Sequence, residues 1–351
     1  MLLAYFGLQN KAIINRQGKE VSGISVYLVI FVLLMTFIAA CRSNEVGIDT
    51  VGYDSIFHAL NNGSSIRSIA GSFASTIDLG FLALSKIIII VSHNRYLYFG
   101  ILAILIYSAV TKYYSFASPD TAISVLTFYA LQYTSTLNIT RQYVAIAFLL
   151  FALLLAKDKK YLLSFLMVIA AMFTHKSAII FAPGIVYFLV KNKKKLFAPF
   201  LGCYFVLIVV IFANNRFFRI LSRLGYARYA NSERYYASGS NGILAYVMLI
   251  IVAVGLIIAI IQKDLLDEEY YYYLAMSIIG VGFSLISKQA EILGRAGTYY
   301  SIFSPIAFPM IIEKLFDNGK GNKLIYNGII IVALTVALYF TTRNYQYSLY
   351  G

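Results

Sequence analysis

The segment from Arg42 to Asp54 holds the densest group of residues that could do chemistry. It contains Arg42, Tyr53, two glycines and three carboxylates, which are Glu45, Asp49 and Asp54. Carboxylates accept hydrogen bonds from sugar hydroxyls and can remove a proton from them, so this pattern favours an acid–base or sugar-binding site. A solvated loop with a glycine turn is the alternative interpretation.

Two further groups of polar residues lie where apolar runs meet. Arg141 and Gln142 stand between two such runs, where a permanently charged guanidinium is costly unless it faces a polar cavity. His175 and Lys176 lie at another junction, and histidine is the side chain best suited to exchange protons near neutral pH. The alternatives are an arginine that extends to the membrane surface and a histidine that only makes a structural hydrogen bond.

Arginines dominate the later polar segments. Spacings of three and four residues put several of them on one face of a helix, if the segment is helical: Arg216, Arg219 and Arg223, followed by Arg228 and Arg234. Apolar residues interleave with them, as in an interfacial helix attracted to lipid headgroups. The sharper interpretation is a site for a lipid-linked diphosphate. Arg295 adds another outer charge, or pairs with Glu291 one turn earlier.

The composition indicates which elements must position these residues. Of the 351 residues, 60% are hydrophobic and 13% are charged, and the mean hydropathy is +0.76, far beyond what the core of a soluble domain needs. The apolar runs predict an all-α, polytopic integral membrane protein with about 11–12 transmembrane or re-entrant helices. We expect them near residues 22–41, 96–114, 121–138, 142–156, 160–174, 177–190, 196–213, 243–262, 270–287, 296–312 and 324–341, with a shorter one at 79–92. Without repeats or linkers, residues 1–351 are expected to form a single membrane domain.

The net charge of +14 raises the question of an acidic partner. Basic membrane proteins usually carry their excess charge in cytoplasmic loops and against anionic lipid, so we expect membrane lipid and no nucleic acid as a partner. The three histidines include no pair with metal-ligand spacing, and the two cysteines lie apart in or beside apolar runs. We expect neither a metal nor another cofactor.

Short lysine-rich loops set the orientation of the predicted helices. The clusters at residues 157–160, 191–195 and 314–323 are expected in the cytoplasm, which places residues 42–78 and 214–242 outside. Lys112 must also be inside, so residues 79–92 are expected to form a re-entrant or interfacial helix. On this topology, 11 of 14 outer basic residues are Arg and 14 of 15 inner ones are Lys. The guanidinium fork binds phosphate or carboxylate, so this asymmetry favours an anionic ligand outside.

Four short motifs follow one another along the chain. They are Arg42-x4-Gly47-x-Asp49-Thr50-x2-Tyr53, Asp78-Leu-Gly-Phe81, Arg141-Gln142-x2-Ala145 and Phe173-Thr-His175-Lys176-Ser177-Ala178. In this order and spacing they resemble the EpsG/Wzy-type family of bacterial polysaccharide repeat-unit polymerases. The resemblance covers residues 42–180, and beyond them it rests on the helices, the long outer loop and Arg295. The chain departs from the family in a shorter N-terminus and in Asp78, where Glu is usual.

The resemblance implies a metal-independent glycosyltransferase of the polymerase/ligase type, in the bacterial cytoplasmic membrane with its active site outside. It would join polyprenyl-diphosphate-linked oligosaccharide repeat units into capsule, O-antigen or exopolysaccharide, alongside a chain-length regulator and a flippase of the same pathway. The acceptor hydroxyl needs a base, for which His175 and Asp49 are the two candidates. The residues expected to contact the substrate or its diphosphate are Arg42, Tyr53, Asp54, Arg141, Gln142, Lys176, Arg216, Arg219, Arg223 and Arg295.

Three other functions fit parts of this pattern. A membrane O-acyltransferase would use an intramembrane His175 but gives no reason for so many outer arginines. A non-enzymatic lipid-linked oligosaccharide flippase needs charge along a route through the membrane, whereas the predicted helix centres are almost free of ionisable groups, with Lys86 as the main exception. An O-antigen ligase would share the mechanism of a polymerase.

Overall fold

The computed structural model describes residues 12–14, 20–22, 26–72, 77–213, 242–287, 291–316, 323–342 and 348. Within these ranges the chain is almost wholly helical, as the sequence predicts. The exception to the all-α prediction is a small antiparallel sheet of β1 (Ala12–Ile14) and β2 (Glu20–Ser22). The chain divides into two compact units, Met1–Ala178 with Gly319–Gly351, and Ile179–Asn318. That residues 1–351 act as a single membrane domain stays a prediction.

Helices make up nearly all of the described residues in both units. Those of the first unit are α1 (Val26–Ala40), α2 (Thr50–Asn61), α3 (Ile66–Ser72), α4 (Leu79–Val91), α5 (Arg95–Ala117), α6 (Thr121–Asn138), α7 (Thr140–Lys157), α8 (Tyr161–Thr174) and α15 (Lys323–Thr342). A 3₁₀ helix, Lys176–Phe181, follows α8. Those of the second unit are α9 (Ala182–Leu189), α10 (Lys193–Ala213), α11 (Gly242–Ile261), α12 (Glu268–Ile286), α13 (Glu291–Ser301) and α14 (Ser304–Phe316).

Most helices occupy the apolar runs that the sequence predicts, but α2 and α3 lie in the segment 42–78, where no helix is predicted. The run predicted as one helix at 177–190 begins as the 3₁₀ helix and continues as α9. The run predicted as one helix at 296–312 is split into α13 and α14. At the split, the Phe303 N–H donates to the carbonyl of Tyr300, three residues earlier, at 3.1 Å. Pro305 lies in the first turn of α14, where a backbone N–H has no partner within the helix, so its missing N–H costs no hydrogen bond. A tightened turn followed by a proline start therefore replaces the continuous helix.

Two helices within the described ranges are long and apolar enough to cross a membrane, judged by length and composition. They are Arg95–Ala117 and Thr140–Lys157. Shorter apolar helices include Leu28–Ala40, Leu79–Val91, Tyr161–Thr174 and Ala245–Ile261. Large apolar side chains such as Ile30 and Phe165 are exposed on these helices, as lipid contact requires.

One end of the first unit collects the polar residues of the motifs. Arg95, which begins α5, donates from Nη1 to the carbonyl of Arg42, just after α1, at 2.9 Å. Nη2 of Arg42 donates to Oγ1 of Thr140, which begins α7, at 3.1 Å. The Ser43 N–H donates to the carbonyl of Ser348, so the chain beyond α15 returns here as well. We call this the polar end of the first unit.

Helix α4 begins and ends at the polar end. Asp78, which precedes it, contacts His175 at the C-terminus of α8, and only residues 92–94 separate α4 from the start of α5. With 13 residues, α4 is about 20 Å long, shorter than the hydrocarbon core of about 30 Å. That α4 is re-entrant or interfacial stays a prediction.

The second unit is built around aromatic side chains. Tyr187 stacks on Phe200 with ring centroids 4.2 Å apart, and Phe181 stacks on Phe303 at 5.3 Å. The fully buried ring of Tyr272 lies 5.8 Å from Tyr187 and 5.8 Å from Phe303, and so joins the two pairs. Each such contact stabilises the unit by about 0.5–1.5 kcal/mol beyond the burial of apolar area.

Candidate functional site

A carboxylate, an imidazole and a guanidinium meet at the polar end. Oδ2 of Asp78 lies 3.1 Å from Nδ1 of His175 and 3.8 Å from Nη1 of Arg141. The Asp78 side chain is 6% exposed, whereas those of His175 and Arg141 are 14% and 17% exposed. The buried carboxylate is thus compensated by its neighbours, which are themselves partly accessible. We call these three residues the Asp–His–Arg cluster.

The contact with Asp78 selects the form of His175. An ionised carboxylate can only accept hydrogen bonds, so a neutral His175 carries its proton on Nδ1 and donates it to Asp78. Nε2 is then the basic nitrogen. The carboxylate also stabilises the imidazolium that forms when Nε2 takes a proton. The pair is therefore suited to general-base chemistry.

A close contact between two backbones brings the pair together. Gly80 packs so tightly on α8 that an added Cβ would lie 2.5 Å from the carbonyl carbon and oxygen of Phe173. Asp78 is the N-cap of α4, two residues before Gly80, and His175 is the C-cap of α8, two residues after Phe173. The Asp78 side chain makes no cap hydrogen bond to α4, and its carboxylate contacts His175 instead.

Arg141 is held through its backbone and its neighbour. Its N–H donates to the hydroxyl of Tyr53 at 3.4 Å, and the preceding Thr140 accepts from Arg42 at 3.1 Å. The buried Tyr53 ring also packs on Phe81 of α4, with centroids 5.6 Å apart. Tyr53 and Arg42 therefore hold the start of α7, and with it Arg141, in place. Direct binding of substrate by these two residues stays a prediction.

Arg42, Asp54 and Arg95 belong to a more deeply buried network. They are 1%, 6% and 6% exposed. Arg95 donates from Nε to Asp54 at 2.5 Å and from Nη2 to Asn44 at 2.6 Å, and Asn44 donates to the other oxygen of Asp54 at 2.8 Å. The guanidiniums of Arg42 and Arg95 both lie over the ring of Phe99, at 4.4 and 4.7 Å. These contacts join the first motif to α5, and they favour a structural role for Asp54 over the predicted substrate contact.

Asp49, the other candidate base, is half-buried at the N-cap of α2. Its N–H donates to Oδ1 of Asn138, the last residue of α6, at 3.0 Å. Gly47 has φ +87°, and an added Cβ there would lie 2.9 Å from the Cα of Asn138, so no other residue fits this approach. Asp49 and the first motif are thereby fixed to the end of α6, whereas the other candidate base, His175, is paired with Asp78.

The remaining predicted site residues fall in different places. Gln142 is buried in the first turn of α7, and Lys176 is exposed directly after His175. Arg295 is half-exposed in α13 of the second unit. The described residues do not include Arg216, Arg219 and Arg223, whose role stays a prediction.

Asp78, Arg95 and Asn44 are polar residues to which the motifs assign no role. Asp78 carries a signal in the sequence, because a carboxylate directly before an apolar helix is costly unless it is paired. Arg95, which begins a long apolar helix, carries a similar signal. Its partner Asp54 lies 41 residues earlier, however, and no local pattern links the two.

In the described structure, the cations at the polar end include Arg42, Arg95 and Arg141 and the exposed Lys176. Within the described ranges, no group of three or more His, Cys, Asp or Glu side chains is arranged to hold a metal. An anion bound here would meet Arg141 and the first turn of α7, where the positive end of the helix dipole lies. The chemistry available is thus proton transfer at His175 beside anion binding at Arg141.

Comparisons with curated proteins and with solved structures find no match. The model of the EpsG family matches residues 25–350, nearly the whole chain. The matched region includes all four motifs and the Asp–His–Arg cluster. Together with the apolar helices, the match indicates a membrane protein of polysaccharide biosynthesis. The chain belongs to the EpsG family.

Proposed function

We propose that this protein polymerises polyprenyl-diphosphate-linked oligosaccharide repeat units into capsule, O-antigen or exopolysaccharide. The observation that carries the proposal is the meeting of Asp78, His175 and Arg141 at one end of the first unit. Glycosyl transfer from a diphosphate needs a base for the acceptor hydroxyl and a cation for the leaving group. The cluster contains both, within a few ångströms of one carboxylate.

The reaction forms one glycosidic bond and breaks one bond between sugar and phosphate. The acceptor hydroxyl attacks the anomeric carbon of the growing glycan, and Nε2 of His175 takes the hydroxyl proton. The bond from the anomeric carbon to the phosphate oxygen breaks, and polyprenyl diphosphate leaves with the electron pair. Asp78 stabilises the imidazolium, because its Oδ2 lies 3.1 Å from Nδ1.

Arg141 serves the leaving group. Its guanidinium can form two parallel hydrogen bonds to phosphate oxygens, and the dipole of α7 adds to the attraction. At 3.8 Å, its contact with Asp78 is longer than a hydrogen bond.

The proposed setting is a multi-pass arrangement in the cytoplasmic membrane, with the polar end outside. In the first unit α5 and α7 both begin at the polar end, and at their other ends Lys157 lies 5.4 Å from the ring of Phe116. Lysine-rich loops favour the cytoplasm, so the lysine loop after α7 would face inside. A flippase of the same pathway would supply the repeat units, and a chain-length regulator would limit the polymer.

The reaction can be measured in membranes supplied with purified lipid-linked repeat units. His175→Ala should lower turnover by about a hundredfold to ten-thousandfold, because it removes a positioned base. His93→Ala, a matched change at an exposed histidine, should leave turnover near the parental value. If His175→Ala retains turnover across pH while Asp49→Asn binds repeat units without joining them, Asp49 is the base. If neither change slows the reaction, the cluster is not the active site.

Glycan analysis in a deletion strain tests the class of function. A polymerase predicts loss of polymer while single repeat units remain on the surface. Loss of single units as well would favour a flippase, and polymer retained on its carrier would favour a ligase. Loss of acyl groups alone would favour an O-acyltransferase.

A further inference from the structure

Exposed apolar side chains border the Asp–His–Arg cluster where α4 crosses α8. Leu79 directly follows Asp78 and is 58% exposed, and Phe173, two residues before His175, is 62% exposed. Gly80, which follows Leu79, packs on Phe173, and a Cβ on Gly80 would lie 2.8 Å from the Cβ of Phe173. Two large apolar side chains are thus accessible at the edge of a charged cluster.

By contrast, the residues of α7 that follow Arg141 offer no exposed apolar surface beside the cluster. Gln142 and Tyr143, which follow Arg141, are 2% and 1% exposed. On the α2 side, Val51 is 55% exposed, and Ile48, which lies between two residues that contact Asn138, is 85% exposed. The guanidinium of Arg141 lies 3.8 Å from Asp78, however, and Leu79 directly follows Asp78, so an apolar chain attached to a head group at Arg141 can reach the exposed side chains of α4 and α8.

We infer that the isoprenoid chain of the carrier lipid lies across Leu79 and Phe173, with its diphosphate at Arg141. This inference rests on the proposed function and adds the surface that holds the lipid part of the substrate. The guanidinium of Arg141 at the edge of the surface favours the carrier over bulk phospholipid, because a diphosphate carries more negative charge than the single phosphate of a phospholipid. The apolar side chains contribute affinity through van der Waals packing against the isoprenoid chain, in place of its contacts with lipid tails.

Helix α8 offers a matched control. Phe165 is 61% exposed on the same helix and lies eight residues from Phe173, about 12 Å along the helix axis. Both rings are accessible to lipid, but only Phe173 adjoins the cluster. A difference between the two positions therefore reports on the carrier and not on the membrane in general.

Photocrosslinking tests the surface without depending on turnover. A benzophenone amino acid replaces Phe173, Phe165 or Val51 in the full-length protein, and radiolabelled polyprenyl diphosphate is added to membranes. We expect crosslinking at 173 that is lost when excess unlabelled polyprenyl diphosphate is added but persists with excess phospholipid. Equal, undisplaced crosslinking at 173 and 165 would show contact with bulk lipid only and would overturn the inference. Displaceable crosslinking at 51 alone would place the chain on α2 and overturn it as well.

Kinetics with two carriers separates this inference from the proposed function. Phe173→Ala should raise KM about fivefold to tenfold for repeat units on the full-length carrier and leave KM unchanged on a short prenyl carrier. Phe165→Ala should change neither value. Equal effects of Phe173→Ala on both carriers would indicate a structural role and overturn the inference. If the carrier crosslinks to the benzophenone variant at 173 but the parental protein joins no repeat units, the proposed function fails while the lipid surface stands.

Discussion

Gly80→Ala should separate α4 from α8 and uncouple Asp78 from His175. The added Cβ would lie 2.5 Å from the carbonyl carbon and oxygen of Phe173, whereas ordinary van der Waals contact begins at 3.4 Å. Both colliding atoms belong to the backbone, so no side-chain rotation can relieve the clash. The two helices must therefore move apart by the difference between these distances, about 0.9 Å.

A movement of that size is large for the hydrogen bond that depends on it. The distance from Asp78 Oδ2 to His175 Nδ1, now 3.1 Å, would approach about 4 Å, beyond the range of an N–H···O hydrogen bond. Misplacing a catalytic group by about 1 Å can lower a rate by about a hundredfold. Overpacking of this kind also lowers the free energy of unfolding by about 1–3 kcal/mol.

Turnover with purified lipid-linked units and the Tm of the purified protein are the two measurements. Gly52→Ala in α2 is the control, since an added Cβ there meets no atom within 4 Å and should leave turnover unchanged. Parental turnover and Tm in the Gly80→Ala protein would refute the packing argument. A lowered Tm with full turnover would show that the contact between α4 and α8 stabilises the fold without setting the geometry of the Asp–His pair.

Three further predictions concern Arg141, the ion pair of Arg95 with Asp54, and the orientation in the membrane. Arg141→Lys keeps the charge but loses the fork, so turnover should fall substantially at equal protein level; full activity would remove Arg141 from the diphosphate site. Arg95→Met leaves Asp54 buried without its main partner and should lower the free energy of unfolding by about 3–5 kcal/mol. The measurement is the fall in Tm, and an unchanged Tm would show that the ion pair does not stabilise the fold. In a cysteine-free background, Ser65→Cys should react with a membrane-impermeant thiol reagent in intact, envelope-permeable cells, and Asp158→Cys only after the inner membrane is opened. The reverse labelling pattern would invert the proposed orientation.

The sequence by itself predicts the helices and the end at which the motif residues collect. Apolar runs of membrane length must satisfy their backbone hydrogen bonds internally, which makes them helices. Because successive helices alternate in direction, the junctions at Arg42, Arg141 and His175 fall at one end, where the structure places them. The short run at 79–92 is also a helix in the structure, as predicted.

Only the tertiary structure decides which of these polar residues touch. Asp78 and His175 are 97 residues apart, and their contact depends on the backbone approach of Gly80 to Phe173, which hydropathy does not encode. The burial of Arg42 beneath α5 likewise depends on a distant residue, Arg95, whose guanidinium binds the Arg42 carbonyl. Helix formation follows from local periodicity and length, whereas pairing between distant side chains follows from how closely two helices pack. For that reason the sequence identifies the polar end, and only the fold separates the partly accessible His175 and Arg141 from the buried residues that hold them in place.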